Sequence, residues 1–393
     1  MRFLLPDFVS DALGGELCLK RALEKGLREE FSLWGFDEVL PAGLDFYDNF
    51  AFGSGARDQR DMLKSFDSQG RILVMRPEFT APLARLAATR LREQEPPLRL
   101  CYLGSAYENP GAGSAQRRAE FTQGGVELMG ESDPRADAEV MLLALRCLQK
   151  AGLKDSLLEL GQVEFFMGLM EEAGLSDGAI QSLRSLTEQK NTLAMELLLR
   201  EEGVSGEALR RLMELPMLFG GGEVLAAARA MSRHPRCVRA IDNLERVYEL
   251  LCQAGAADRV SIDLGLVHGL GYYTGVVFRG MTASFGQPLL SGGRYDTLLA
   301  EYGRPMPATG FALGVEHLLS ALRAQGAQAQ EPAVDLLYLP LDEPVSVTWR
   351  ETEALRSQGL RVELCYERDL EKAARRAKQR GAERIVLGRK GEA

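Results

Sequence analysis

The stretch LGLVHGLGYYTGVVF, residues 264–278, determines how this sequence is interpreted. It places three glycines, a histidine and two adjacent tyrosines between strand-like segments at 259–264 and 275–279. Two interpretations of Tyr272 and Tyr273 stay open. They are strand residues with one ring in the core, or they form the walls of a small binding pocket.

Two further pairs of stretches also combine glycines, aromatic residues and charged residues. CYLGSAYE (101–108) leads to EFTQGGVE (120–127), and SGGRYD (291–296) leads to GFALGVEH (310–317). A GGxYD-like string alone is weak evidence, but this spacing makes it fairly specific. Glycines 292 and 293 are expected to give the backbone freedom for a tight entry beside a sheet.

These stretches resemble three motifs of histidyl-tRNA synthetases. The segment 264–278 resembles the histidine-recognition motif of that family, 101–127 resembles motif two of class II synthetases, and 291–317 resembles motif three. The resemblance is strongest over 71–130 and 259–320. It implies an α+β fold with a class II synthetase-like antiparallel sheet and flanking helices.

In each motif the sequence departs from the family at an arginine. Ala106, His268 and His317 stand where the family carries an arginine, so these are interpreted as degenerate former catalytic positions. An offset alignment, with Arg117 or Arg118 taking the role of Ala106, is the alternative. Adenylation builds negative charge on phosphate oxygens, which the planar arginine fork stabilises. Three such losses together predict a chain without catalytic residues and without adenylation activity.

The residues that would bind free histidine are retained. By resemblance, the carboxylate and hydroxyl in RPEFT (76–80) would meet the α-amino group, and two tyrosines would flank the imidazole. Two polar residues four apart on one strand share a face. As isolated residues, each would more often be an ordinary strand or surface residue. The candidate histidine-binding residues are Glu78, Thr80, Gln123, Glu127, Tyr272 and Tyr273.

The pattern along the chain predicts two domains. Residues 1–325 resemble the synthetase core, with a helical insertion at about 165–255, and the region 14–41 resembles motif one, which forms the dimer interface in that family. Residues 333–393 alternate strands and helices and resemble a truncated anticodon-binding α/β domain. A homodimer within a larger hetero-oligomer is therefore expected.

Composition limits the classes of function. The formal net charge of −9 over 393 residues argues against a tRNA ligand, because nucleic-acid affinity depends on lysine and arginine. Six scattered cysteines and three histidines argue against a zinc site, so no metal and no cofactor are expected. No apolar run is long enough to cross a membrane, and a cytoplasmic location is expected.

A synthetase paralogue without the catalytic arginines resembles the regulatory subunits of ATP phosphoribosyltransferase. In that family a separate short catalytic subunit joins ATP to phosphoribosyl pyrophosphate, the first step of histidine biosynthesis, and the synthetase-like chain supports activity and feedback by L-histidine. The resemblance therefore implies the short-form catalytic subunit as partner and histidine as effector. The alternatives are a divergent histidyl-tRNA synthetase, or a tRNA-binding sensor that uses the basic residues of 368–390.

Overall fold

The computed structural model describes residues 4–51, 59–109, 118–267, 271–331 and 333–388. The chain divides into two compact units, Met1–Ser10 with Ala22–Ala327, and Asp11–Arg21 with Gln328–Ala393. Each unit has its own sheet. The assignment of the units to a synthetase core of 1–325 and an anticodon-domain relative of 333–393 stays a prediction.

The strands are β1 Asp37–Glu38, β2 Leu44–Phe46, β3 Lys64–Phe66, β4 Ile72–Met75, β5 Leu98–Tyr107, β6 Glu120–Met129, β7 Ser156–Gln162, β8 Phe219–Gly220, β9 Val260–Asp263, β10 Val276–Thr282, β11 Phe285–Arg294, β12 Ala308–Gly314, β13 Leu336–Leu339, β14 Val362–Leu364 and β15 Arg384–Leu387. The helices are α1 Gly14–Leu33, α2 Asp48–Ala51, α3 Thr80–Ala88, α4 Pro134–Lys150, α5 Val163–Glu172, α6 Asp177–Glu188, α7 Thr192–Glu201, α8 Gly206–Glu214, α9 Glu223–Met231, α10 Pro235–Gln253, α11 Leu298–Glu301, α12 Val315–Ala324, α13 Val345–Ser357 and α14 Leu370–Arg380.

The main sheet of the described residues has nine strands in the order β1-β5-β6-β12-β11-β10-β7-β9-β8. Its centre, from β5 to β7, is antiparallel throughout, which confirms the predicted fold class. Toward its two edges the sheet is not antiparallel as predicted, because β1 pairs with β5 in parallel and β7 pairs with β9 in parallel. Both parallel partners are short strands.

Helix α4 illustrates how the sequence builds the layer on this sheet. The side chain of Asp133 accepts a hydrogen bond from the Arg135 backbone N–H at 2.8 Å, and Pro134 occupies the first helical position. This N-cap and proline start a helix with little cost. The apolar face then repeats at helical spacing through Val140 and Ala144 to Leu148, which are fully buried. This apolar spacing predicts a helix at 136–151 from the sequence alone, which is confirmed apart from the exact ends.

The predicted helical segment at 165–255 is also confirmed. It contains α5 to α10. The glycines of the sequence predict breaks at 203–206 and 220–222; the first break lies at the junction of α7 and α8, which begins at Gly206, and the second lies between α8 and α9. One departure is β8, a two-residue strand that pairs with β9 and extends the main sheet. Among the described helices, none is both long enough and apolar enough to cross a membrane.

The glycines at 292 and 293 are strand residues, so the predicted tight entry beside the sheet is wrong. Both lie inside β11, between β10 and β12, and neither has a positive φ. A Cβ on Gly292 would lie 2.7 Å from the Phe278 ring and 2.7 Å from the Phe311 Cβ, with the Gly310 carbonyl oxygen closer still. These glycines are therefore required for close approach of neighbouring strands, not for an unusual backbone angle.

We expect Gly292→Ala to lower the free energy of unfolding by about 1–3 kcal/mol, because an added methyl group overpacks the sheet. Gly286→Ala is the matched control, since Gly286 lies in the same strand and a Cβ there meets no atom within 4 Å. Urea unfolding followed by circular dichroism measures both. Equal stability of the two variants would contradict the packing role assigned to Gly292.

The second unit contains a parallel sheet in the order β14-β13-β15, with α13 and α14 in the two crossover connections. The predicted strand–helix–strand–helix–strand order is confirmed, and β15 has the predicted bounds. The central strand β13 is buried along its whole length, as expected of a parallel strand with neighbours on both sides.

Candidate functional site

All six candidate histidine-binding residues line one cavity, which lies over the centre of the main sheet. The cavity holds about 430 Å³ of empty space, counting its open mouth. The predicted residues come from the entry to α3, from β6 and from the loop before β10. The lining residues are Glu78, Thr80, Gln123, Glu127, Tyr272, Tyr273, Ser291, Tyr295, Gly310, Phe311 and Ala312.

Glu78 is held at the N-terminus of α3. Its Oε2 accepts a hydrogen bond from the Thr80 backbone N–H at 2.5 Å, and its Oε1 accepts one from the Ala81 N–H at 2.9 Å. Free N–H groups and the helix dipole favour a carboxylate at this position. Glu78 thus has a structural role as well as a place in the cavity wall. The remaining lone pairs of its oxygens can still accept from a ligand.

Glu127 is the most buried charged residue of the cavity, with 2% of its surface exposed. Its Oε1 accepts a hydrogen bond from the Thr80 hydroxyl at 2.7 Å, and its Oε2 accepts one from the Tyr295 hydroxyl. Burial raises the pKa of Glu127 to about 8, and these two hydrogen bonds oppose that rise. The side chain is therefore fixed in position and gains or loses a proton near neutral pH.

Gln123 lies four residues before Glu127 on β6, and both side chains reach the cavity, as the strand period requires. The Oε1 atom of Gln123 is buried and has no hydrogen-bond partner within the protein. An unpaired buried acceptor is costly, and a ligand that donates a hydrogen bond would remove that cost.

Tyr272 and Tyr273 both line the cavity, and the Tyr272 ring is also buried in a core cluster with Tyr102 and Tyr295, so each interpretation describes part of their position. Their ring centroids lie 4.7 Å apart at 52°, and the Tyr272 ring meets that of Tyr295 edge-on at 5.5 Å. A backbone hydrogen bond holds the residue that follows the two tyrosines, since the Thr274 N–H donates to the Arg294 carbonyl oxygen at 2.8 Å. Rings held in this way can enclose a flat polar ligand.

The positions interpreted as former catalytic sites lie outside the cavity wall where the structure describes them. Ala106 is fully buried in β5 and provides only a methyl group. His317 lies on α12, with its Nδ1 2.9 Å from the Pro288 carbonyl oxygen and its ring beside Phe285. His268 lies outside the described residues.

The two arginines of the alternative alignment do not supply a described cation to the cavity. Arg118 is exposed and donates to the Ser10 hydroxyl at 2.9 Å, and Arg117 lies outside the described residues. Within the described part of the chain, the lining contains two carboxylates and no lysine, arginine or histidine.

Sequence reasoning missed Tyr295 as a pocket residue. It was included in the SGGRYD motif, but only the glycines of that motif received a role. The tyrosine follows β11, and its hydroxyl reaches the Glu127 carboxylate across the sheet. The available signal was its position in the SGGRYD motif, whose Ser291 also lines the cavity.

A buried ion pair beside the motif was also missed. The Arg294 Nε lies 3.1 and 3.0 Å from the two oxygens of Asp137 on α4, and Nη1 donates to the Glu131 carbonyl oxygen at 3.0 Å. Both side chains of the pair are more than nine-tenths buried. The pair holds β11 against α4 and so fixes the strand that leads to Tyr295.

The geometry suits a small ligand that donates hydrogen bonds and carries positive charge. Carboxylates, an amide oxygen and aromatic rings converge, as a cationic ligand with a flat ring requires. Within the described residues, no three His, Cys, Asp or Glu side chains form a cluster that could hold a metal ion.

Comparisons with known proteins agree with this architecture. The family model of histidyl-tRNA synthetase matches residues 8–318. A histidyl-tRNA synthetase from Nostoc sp. PCC 7120 superposes with a TM-score of 0.83 at 20% identity, covering 99% of this chain and 92% of that one, which shows a shared fold.

Several more similar relatives are called ATP phosphoribosyltransferase regulatory subunit. That of Moorella thermoacetica is 41% identical over 380 residues, 96% of both chains, and that of Acetivibrio thermocellus is 39% identical over 359 residues, 91% of this chain and 86% of the other. The Bacillus halodurans structure called ATP phosphoribosyltransferase regulatory subunit/histidyl-tRNA synthetase has a TM-score of 0.88 at 30% identity, covering 99% of this chain and 98% of that one. This chain belongs to the ATP phosphoribosyltransferase regulatory subunits, which share the histidyl-tRNA synthetase fold.

Proposed function

We propose that this chain is a non-catalytic subunit that makes a separate ATP phosphoribosyltransferase catalytic subunit active and reports the level of free histidine to it. The reaction joins ATP to phosphoribosyl pyrophosphate and releases pyrophosphate, the first step of histidine biosynthesis. The observation that carries the histidine role is the cavity around Glu127, in which carboxylates, the Gln123 amide and two tyrosines converge.

The charge of the cavity supports the absence of adenylation. Adenylation requires fixed positive donors around the phosphates, and removing one such donor typically costs about two to three orders of magnitude in rate. Ala106 and His317 provide no guanidinium at the positions that resemble the family's arginines, and the described lining contains no lysine, arginine or histidine. A nucleotide phosphate would therefore meet no fixed cation in the described part of the cavity.

The ligand of the cavity is proposed to be L-histidine. Its ammonium group would meet the acceptors around Thr80 and Gln123, while its imidazole would lie against the wall that Tyr272 and Tyr273 form. Histidine then counts as an effector if it binds the active and inactive forms of the complex with different affinity. No cofactor enters this proposal.

A homodimer within the complex is proposed for the region that resembles motif one. Leu33 and Leu40 are 78% and 73% exposed in the single chain, and Leu44 and Phe46 nearby are 52% and 41% exposed. An apolar surface of this kind is typical of an interface. Closed two-fold symmetry is the commonest way to cover it.

The test is the phosphoribosyltransferase rate of a purified short catalytic subunit, measured with and without this chain, followed by a histidine titration. We expect a rate at least about tenfold higher in the mixture, a lowering of the barrier by about 1.4 kcal/mol, and a fall of that rate with histidine. Light scattering of the same sample gives the assembly size. An unchanged rate, with histidine-dependent ATP–pyrophosphate exchange by this chain alone, would support a divergent synthetase instead.

A further inference from the structure

One buried tyrosine hydroxyl beside the cavity has no use in the fold. The side chain of Tyr102 on β5 is fully buried, and its hydroxyl has no hydrogen-bond partner among the described residues. A buried hydroxyl without a partner costs free energy, so its presence needs an explanation. Burial also raises the pKa of this hydroxyl well above its usual range, which keeps its proton available for donation.

The position of Gly125 on β6 shows that this hydroxyl lies on the cavity side of the sheet. Gly125 is the direct cross-strand partner of Tyr102, and it lies midway between Gln123 and Glu127, which line the cavity. Residues two apart on a strand share a face, so a side chain at position 125 would point the same way as these two. A Cβ there would lie 2.6 Å from the Tyr102 hydroxyl oxygen. The hydroxyl therefore occupies the space that a side chain between Gln123 and Glu127 would fill.

The ring of Tyr102 is held in place by its neighbours. It stacks on the Phe79 ring, with the centroids 4.3 Å apart and an angle of 11° between the planes. The Arg76 guanidinium lies 3.8 Å from the centroid of the Phe79 ring and donates hydrogen bonds to the Pro41 and Ser105 carbonyl oxygens, both at 2.6 Å. Because the ring is fixed, its hydroxyl is preorganised for a group inside the cavity.

The chemistry of an imidazole suits such a hydroxyl. A neutral imidazole has one N–H that donates and one bare nitrogen that accepts, whereas an ammonium group has donors alone. The carboxylate and amide oxygens of the cavity match the donors, and a hydroxyl that can still donate matches the bare nitrogen. The Tyr102 ring also belongs to the core cluster of Tyr272, against which Tyr273 packs, and these two tyrosines form the wall for the proposed imidazole.

We propose that Tyr102 is a ligand-binding residue of the cavity, whose hydroxyl donates a hydrogen bond to the bare ring nitrogen of the bound imidazole. This inference rests on the proposed histidine-binding role and adds to it a residue that determines specificity for the ring. The unpaired hydroxyl destabilises the empty chain, and the ligand removes that cost on binding. Tyr102 therefore lowers the stability of the empty chain and raises its affinity for the ligand.

The test is Tyr102→Phe in the full chain, which removes the hydroxyl and keeps the ring. Without ligand, the midpoint of urea unfolding should be unchanged or higher, because phenylalanine leaves no unpaired hydroxyl. The affinity for L-histidine, measured by calorimetric titration, should fall by about fivefold to tenfold, the usual effect of one lost hydrogen bond. Tyr107→Phe is the matched control on the same strand, since the Tyr107 hydroxyl bonds to the exposed Glu120, and its histidine affinity should stay unchanged.

A second ligand tests the assignment to the ring nitrogen. Thienylalanine keeps the amino-acid group and a five-membered ring but has no nitrogen in the ring. Its affinity, measured by the same titration at millimolar concentration, should differ by less than about twofold between Tyr102→Phe and the natural chain. Equal weakening of thienylalanine and histidine would place the Tyr102 contact on the amino-acid group and overturn the assignment.

Two results with histidine would overturn the inference and leave the histidine-binding role intact. A lower unfolding midpoint of Tyr102→Phe would show that the hydroxyl already has a partner in the empty chain. An unchanged histidine affinity would show that no ligand atom reaches it. Histidine binding by neither chain would overturn the inference and the histidine-binding role together, while the phosphoribosyltransferase assay still tests the regulatory role separately.

Discussion

Arg294→Met is expected to lower the free energy of unfolding of this chain by about 3–5 kcal/mol, the usual cost of leaving one buried charge without its partner. The Arg294 guanidinium meets both oxygens of Asp137, and the two side chains are 7% and 1% exposed. Methionine fills similar space but leaves the Asp137 carboxylate and the Glu131 carbonyl oxygen without their donor. Urea unfolding followed by circular dichroism measures the loss.

Two further variants test whether the loss of stability comes from the buried ion pair and not from the loss of any one charge. Arg200→Met removes an exposed pair with Glu196 on α7, for which a loss of no more than about 0.5 kcal/mol is expected. Combining Arg294→Met with Asp137→Leu should recover most of the stability, because no unpaired charge remains. A loss in the double variant as large as in Arg294→Met alone would show that packing, not charge, holds β11 to α4.

Sequence patterns predicted elements of this fold where a single physical rule operates. The sequence predicts a strand at 98–107, the bounds that β5 has, because most of its residues are apolar, and α4 has a cap, a proline and a regular apolar face. The glycines of β11 were misinterpreted because glycine is compatible both with unusual backbone angles and with close strand approach. Only the neighbouring Phe278 and Phe311 distinguish these cases.

The candidate site, too, could be predicted from the sequence only in part. Resemblance selected six residues, and the structure brings all six to one cavity, although their ligand stays a prediction. Tyr295 was missed because its function depends on reaching Glu127 from another strand, which is a property of sheet order. The Arg294–Asp137 pair was missed for the same reason, since 157 residues separate its partners. Local sequence carries no signal of such distances.

We expect Glu127→Gln to weaken histidine binding by about 30-fold or more, since truncating one partner of a buried charge contact costs about 2 kcal/mol or more. Glutamine keeps the size of the side chain and an oxygen for the Tyr295 hydroxyl, so the fold should persist. Glu120→Gln is the matched control on the same strand, because Glu120 is exposed and bonds to Ser105 and Tyr107 outside the cavity. Equal weakening by both variants would contradict a ligand contact at Glu127.

The pH dependence of histidine affinity gives an independent signature of the same contact. Burial raises the pKa of Glu127 to about 8, so at pH 7 the carboxyl group is mostly protonated in the empty cavity. A bound ammonium group favours the ionised form, and binding therefore releases a proton. Affinity should rise between pH 7 and 8, by up to about tenfold per pH unit, and level off above the pKa. Histidine's own imidazole, with a pKa of about 6.5, is mostly neutral across this range and adds only a small slope.

Calorimetric titration in two buffers with different enthalpies of ionisation measures the number of protons released when histidine binds. The Glu127→Gln variant is the reference. Glutamine does not titrate, so its weaker binding should be independent of pH between 7 and 8 and should release no proton. The same slope in the variant and in the natural chain would place the titrating group elsewhere. A flat profile in the natural chain would mean that the ligand's positive charge does not approach Glu127, and the ammonium would then have to be assigned to Glu78 and Gln123.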